Sequence, residues 1–110
     1  MILLLRKRAT PEQLEQMVQQ HKFYIKAAVD IERRVLVGGG DLHYDCEQAL
    51  LGDGSRQETI WAASFMPVTQ KMIFESIVNL RPRQNKSMEI LDSNIREGVA
   101  QIIIEFLGNL

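Results

Sequence analysis

His43, Asp45 and Glu47 occupy every second position of the stretch Asp41-Leu42-His43-Tyr44-Asp45-Cys46-Glu47, directly after Gly38-Gly39-Gly40. In an extended chain successive side chains alternate between faces. One imidazole and two carboxylates would then stand in a row, able to hold a divalent metal or to share a proton. On a helix, His43 and Glu47 would still be neighbours, one turn apart. Three protein ligands would leave coordination positions for water, the arrangement that metal-assisted hydrolysis needs. The competing reading is an exposed polar face beside a loop, because no second histidine cluster exists and His21, the other histidine, falls at an expected helix end. Cys46 could be a nucleophile only with a base or a positive field to lower its pKa. Asp41, Asp45 and Glu47 act the other way, so an inert thiol is expected.

Arg81, Arg83 and Lys86, spread through a turn-rich segment with Gln84, Asn85 and Ser87, form a second constellation that could hold phosphates. No aromatic residue is interleaved to stack bases. Arg6, Lys7 and Arg8 form the other local basic cluster. The triple glycine might cradle a phosphate, but its spacing is neither the dinucleotide fingerprint nor a P-loop, so a turn or bulge is expected. Trp61, inside the apolar run Ile60-Trp61-Ala62-Ala63, reads as core.

The bulk properties narrow the classes. A chain of 110 residues with 45% hydrophobic and 25% charged residues suits a single domain, 1–110, with one core that needs neither disulfide nor metal. Thirteen Lys plus Arg against fourteen Asp plus Glu leave a formal charge of -1, so no global field draws it to nucleic acid or an anionic membrane. The apolar start Met1 to Leu5 is too short for a signal-peptide core or a membrane span. With the single cysteine Cys46 excluding an internal disulfide, a cytoplasmic location is expected.

The elements that must position these residues follow from pattern. Ile2 to Leu5 suit a short buried strand. Thr10-Pro11-Glu12-Gln13 is a helix start with a capping box, and Leu14, Met17 and Val18 give that helix one apolar stripe, ending near His21. Residues 23–37 fit helix or strand. β-branched content favours strands, with a hairpin turning near Glu32 and Arg33. Gly52-Asp53-Gly54-Ser55 reads as a second hairpin, joining a strand at Ala49-Leu50-Leu51 to one at Thr59-Ile60-Trp61. Met72 to Leu80 alternate as a further strand. Asp92 caps a final helix with Ile95, Val99, Ile102, Ile103 and Phe106 facing inward and Gly108 as its stop. The expected architecture is α+β, two layers, an antiparallel sheet of about four to six strands with an N-terminal and a C-terminal helix.

At Val29-Asp30-Ile31-Glu32, Gly39-Gly40-Asp41-Leu42-His43, Asp53-Gly54-Ser55-Arg56-Gln57 and Asn79-Leu80-Arg81-Pro82, the sequence resembles a family of small bacterial, notably cyanobacterial, and archaeal proteins of unknown function. The resemblance runs from about Phe23 into the C-terminal helix. It implies a free-standing domain and transfers no activity, ligand or catalytic residue. The expectation is therefore a non-enzymatic binding or assembly module, a homo-oligomer through a strand edge or the apolar face that Ile104 adds to the last helix. The rivals are a metal-assisted hydrolase using His43, Asp45 and Glu47 with a divalent metal, and a nucleic-acid-binding accessory protein using Arg81, Arg83 and Lys86. Whether it is an enzyme is not decided by the sequence.

Overall fold

The computed structural model describes residues 1–109. Its centre is a five-stranded antiparallel sheet in the order β1-β3-β2-β4-β5, with β1 at Leu3–Leu5, β2 at Ile25–Asp30, β3 at Val35–Gly38, β4 at Ile60–Met66 and β5 at Lys71–Ile73. Three α-helices cover it, α1 at Pro11–Val18, α2 at His43–Gly52 and α3 at Ser93–Leu107. The α+β class, the antiparallel sheet and the N- and C-terminal helices are as the sequence implies.

The period of two in the strands sorts the apolar side chains between the two faces. Ala27, Val29, Leu36, Trp61, Ala63 and Phe65 join Met17 of α1 and Val99, Ile102, Ile103 and Phe106 of α3 in the main core. Ala28, Val35, Val37 and Ile60 point the other way and pack on Cys46 and Leu50 of α2. The expected two layers are thus three, because α2 covers a face that the sequence reading left open.

That missing layer comes from one corrected segment. Ala49-Leu50-Leu51, expected as the first arm of a hairpin, is the second half of α2, and Gly52 to Ser55 ends that helix. Cys46 and Leu50, one turn apart, supply the buried stripe, and the Asp45 carboxylate accepts the Leu42 amide at 3.1 Å to cap the start. At the other end the Asp53 amide donates to the carbonyls of Ala49 and Leu50, and Gly54 turns the chain at φ +103. The anticipated strand from Met72 to Leu80 also shortens. It leaves the sheet after Ile73, and Ile77–Asn79 forms a 3-10 turn with Val78 N–H bonded to the Ser76 hydroxyl at 3.2 Å. The first helix closes at Val18 rather than near His21.

Other expectations hold. Thr10 and Gln13 form the reciprocal capping box, at 3.1 and 2.9 Å. Residues 25–38 are a strand pair turning through Glu32 and Arg33. The triple glycine serves packing. Gly39 takes φ +88, and a β-carbon there would lie 2.1 Å from the Met1 carbonyl oxygen, so the N-terminus can pass over it only if it is glycine. Trp61 is buried, with the Arg81 guanidinium carbon 4.3 Å from its ring centroid. No helix of the described residues is long and apolar enough to cross a membrane.

Candidate functional site

The register of β1 on β3, with Leu5 opposite Leu36, decides where basic side chains gather. Continued past the paired residues, it brings Arg6, Lys7 and Arg8 alongside the turn that carries Arg33 and Arg34. These five side chains, with Val35, Phe106 and Glu105, line a cleft of about 550 Å³. The sequence shows the run Arg6-Lys7-Arg8 and the turn near Arg33. Their convergence is a tertiary fact, and Arg33 and Arg34 were missed as site residues.

The turn is built by Asp30. Its fully buried carboxylate accepts the amides of Glu32 at 3.0 Å and Arg33 at 3.1 Å. Burial alone would raise its pKa, but the Ser55 and Thr59 hydroxyls beside it and those two amides outweigh burial and hold it below the usual carboxylate value. The Arg34 amide then donates to the Asp30 carbonyl at 2.9 Å while Arg34 itself sits at φ +56. That conformation favours glycine or asparagine, so a long cation is kept here at a conformational cost.

Each arginine is oriented. Asp53 Oδ2 accepts from Arg33 at 2.8 Å and from Arg6 at 2.5 Å, and Arg33 also reaches Ser55 Oγ at 2.6 Å. Arg33, and secondly Arg6, hold the Asp53 carboxyl below its ordinary range. Arg34 pairs with Glu105. Arg8 donates to the Glu105 carbonyl at 2.6 Å and to the Gly108 carbonyl, covering the C-terminal end of α3. Lys7 has no carboxylate partner among the described residues. Five cations against the carboxylates of Asp53 and Glu105 leave a surplus of three positive charges on a protein whose formal charge is -1. The cleft is lined by cationic hydrogen-bond donors.

The residues singled out in the sequence lie elsewhere. α2 carries His43, Asp45 and Glu47, so the alternation that would have aligned all three on a strand does not arise. His43 and Glu47 are a turn apart, whereas Asp45 lies some 200° round the helix from His43. Among the described residues no three His, Cys, Asp or Glu side chains are grouped so that they could hold a metal. Asp45 caps the helix, and Glu47 is buried with Oε2 unpartnered.

His43 Nε2 lies 3.1 Å from the Ala63 carbonyl oxygen and 3.2 Å from Ser64 Oγ. A carbonyl only accepts, so Nε2 carries the proton and cannot draw one from the Ser64 hydroxyl. Burial, reinforced by the charges of Lys26 and His21 and opposed by the Ala63 carbonyl, pushes His43 down to about 4. Cys46 is fully buried and desolvation raises its thiol to about 11, which makes it the inert thiol anticipated.

A pH effect follows. The unfolded chain binds a proton on His43 below about 6.5, the folded chain only near 4, so stability is lost as pH falls through that window. With allowance for the ring's partial exposure, the loss is about 2 kcal/mol, and His43→Gln should lack it. Denaturant titrations at both ends of the window check this. Equal pH slopes for the two proteins would contradict it.

Of the second constellation, Arg81 is buried. It donates to the Ile60 carbonyl, to the Val78 carbonyl at 3.4 Å and to Gln84 Oε1 at 3.1 Å. Desolvation lowers its pKa, opposed by Glu47 and Glu58. Arg83 and Lys86 are exposed. Arg81 and Arg83 line a shallow depression with Glu58, so positive charge there is partly balanced.

A family model described as "Protein of unknown function (DUF5674)" matches residues 3–106. No curated protein and no solved structure matches the chain.

Proposed function

Since the chain belongs to the DUF5674 family, whose description assigns no activity, we propose that it is a non-enzymatic binding module whose working surface is the basic cleft and whose ligand carries phosphoryl groups. The observation that carries this reading is the convergence of Arg6, Lys7, Arg8, Arg33 and Arg34 on one cleft of about 550 Å³. That volume suits a small molecule. Guanidinium groups match the geometry of phosphate oxygens, and here their positions are already set by Asp53, Glu105 and the end of α3, which reduces the ordering cost of binding.

Calorimetric titration with inorganic pyrophosphate at low ionic strength tests the reading. Lys7→Gln combined with Arg34→Gln should weaken binding by about tenfold or more. The thermal midpoint should stay close to wild type, because the Arg34–Glu105 pair is solvent-exposed. Added salt should weaken binding further. Affinity that the double substitution leaves unchanged would remove the cleft as the site.

A second reading, self-association, is supported by Ile104, 45% exposed on α3, and by the edge positions of β1 and β5. Light scattering across a concentration series tests it, with a mass above one chain expected. A reducing, cytosolic setting suits the single buried thiol of Cys46.

A further inference from the structure

α2 is ten residues long and leaves part of its face of the sheet uncovered. Lys26, Ser64 and Ile73 stand in one row across β2, β4 and β5, because Ser64 pairs with Lys26 on one side and with Ile73 on the other. Tyr24, Met66 and Glu75 share the same strand parity and therefore the same face. Together with His43 at the start of α2, these side chains line a groove of about 370 Å³.

The groove is electrically polarised. Lys26 is a cation on its β2 side and forms no ion pair among the described residues. On the opposite side Glu75 lines the groove, and Glu89 stands directly across a backbone bridge from it, so this end carries negative charge. Ser64 adds a donor between the two ends. Its oxygen lies 3.2 Å from His43 Nε2, which is the donor there, and so the hydroxyl proton is free to turn into the groove. Met66, Ile73 and the Tyr24 ring, the last stacked on His21 at 4.7 Å, supply apolar lining.

We infer that this groove is a site for a small amino-carboxylate with an apolar side chain. The ligand's carboxylate would lie on Lys26 and the Ser64 hydroxyl, its ammonium group on Glu75, and its side chain against Met66 and Ile73. Both ends of the ligand are needed, since either charge alone would leave the opposite pole of the groove unmatched. The site is separate from the basic cleft and does not depend on what that cleft binds.

Amide chemical shifts of the full chain, followed during titration with L-leucine at millimolar concentration, test the assignment. Shifts at Lys26, Ser64 and Ile73 are expected, with saturation. Lys26→Met and Glu75→Gln, both at exposed or half-exposed positions where folding should be unaffected, should each weaken binding about tenfold. Isocaproate, which lacks the ammonium, and isoamylamine, which lacks the carboxylate, should each bind more weakly than leucine by a similar factor. No shift on the groove, shifts that survive both substitutions in folded protein, or equal affinity for isocaproate and leucine would each overturn the proposal.

Discussion

Phe106→Ala is expected to destabilise the protein by about 3–5 kcal/mol, enough to threaten folding of a domain of ordinary stability. The ring is 3% exposed and belongs to the main core with Trp61, Ile102, Ile103 and Ala9. Removing it deletes the α3 contact with the main-core face of the sheet and leaves a cavity among large, fully packed side chains. Because the ring is core in the single chain, the fall in denaturation midpoint should be the same at every protein concentration. A folded variant whose midpoint changes only with concentration would place Phe106 at an interface instead.

The second large effect should come from Asn79→Ala. β5 pairs with β4 only from Ser64 to Met66, so the outer edge of β4 at Ala62 needs another partner. Asn79 supplies it from the 3-10 turn. Its Oδ1 accepts the Ala62 amide at 2.8 Å and its Nδ2 donates to the Ala62 carbonyl at 2.9 Å, all fully buried. Truncation leaves both backbone groups unsatisfied in the interior, a cost of roughly 2–5 kcal/mol. Asn85, which donates to the Asn79 backbone carbonyl at 3.0 Å and accepts the Leu91 amide at 3.1 Å, keeps both bonds in the variant, so the loss falls on Ala62. Hydrogen exchange at the Ala62 amide should accelerate more than at Ala28, its partner on β2. Unchanged protection of Ala62 would show that water or backbone replaces the side chain.

Asn79 also shows what the sequence could and could not convey. Met72 to Leu80 alternates like a strand, and alternation is all that local pattern reports. The chain departs from the sheet because a side-chain amide imitates the next strand, which no periodicity signals. Ala49-Leu50-Leu51 misled for a related reason. A short apolar run beside Gly-Asp-Gly suits a hairpin arm as well as a helix end, and only the uncovered face made by Ala28, Val35, Val37 and Ile60 decides for α2. By contrast Thr10-Pro11-Glu12-Gln13 and Asp92 were legible because capping is local chemistry. The cleft was half legible. Arg6-Lys7-Arg8 is visible as a run, but Arg33 and Arg34 join it through the β1–β3 register. Arg81 looked like a solvated phosphate ligand and is instead committed to carbonyls and to Trp61, since nothing in its neighbours' identities announces its burial.

The most direct test of the cleft as the working surface is the map of amide chemical shifts on adding inorganic pyrophosphate to the full chain at low salt. Saturable shifts centred on Lys7, Arg33 and Arg34 are expected, with Arg83 and Lys86 essentially unmoved. Shifts of equal size at both basic clusters, or none at the cleft, would contradict it.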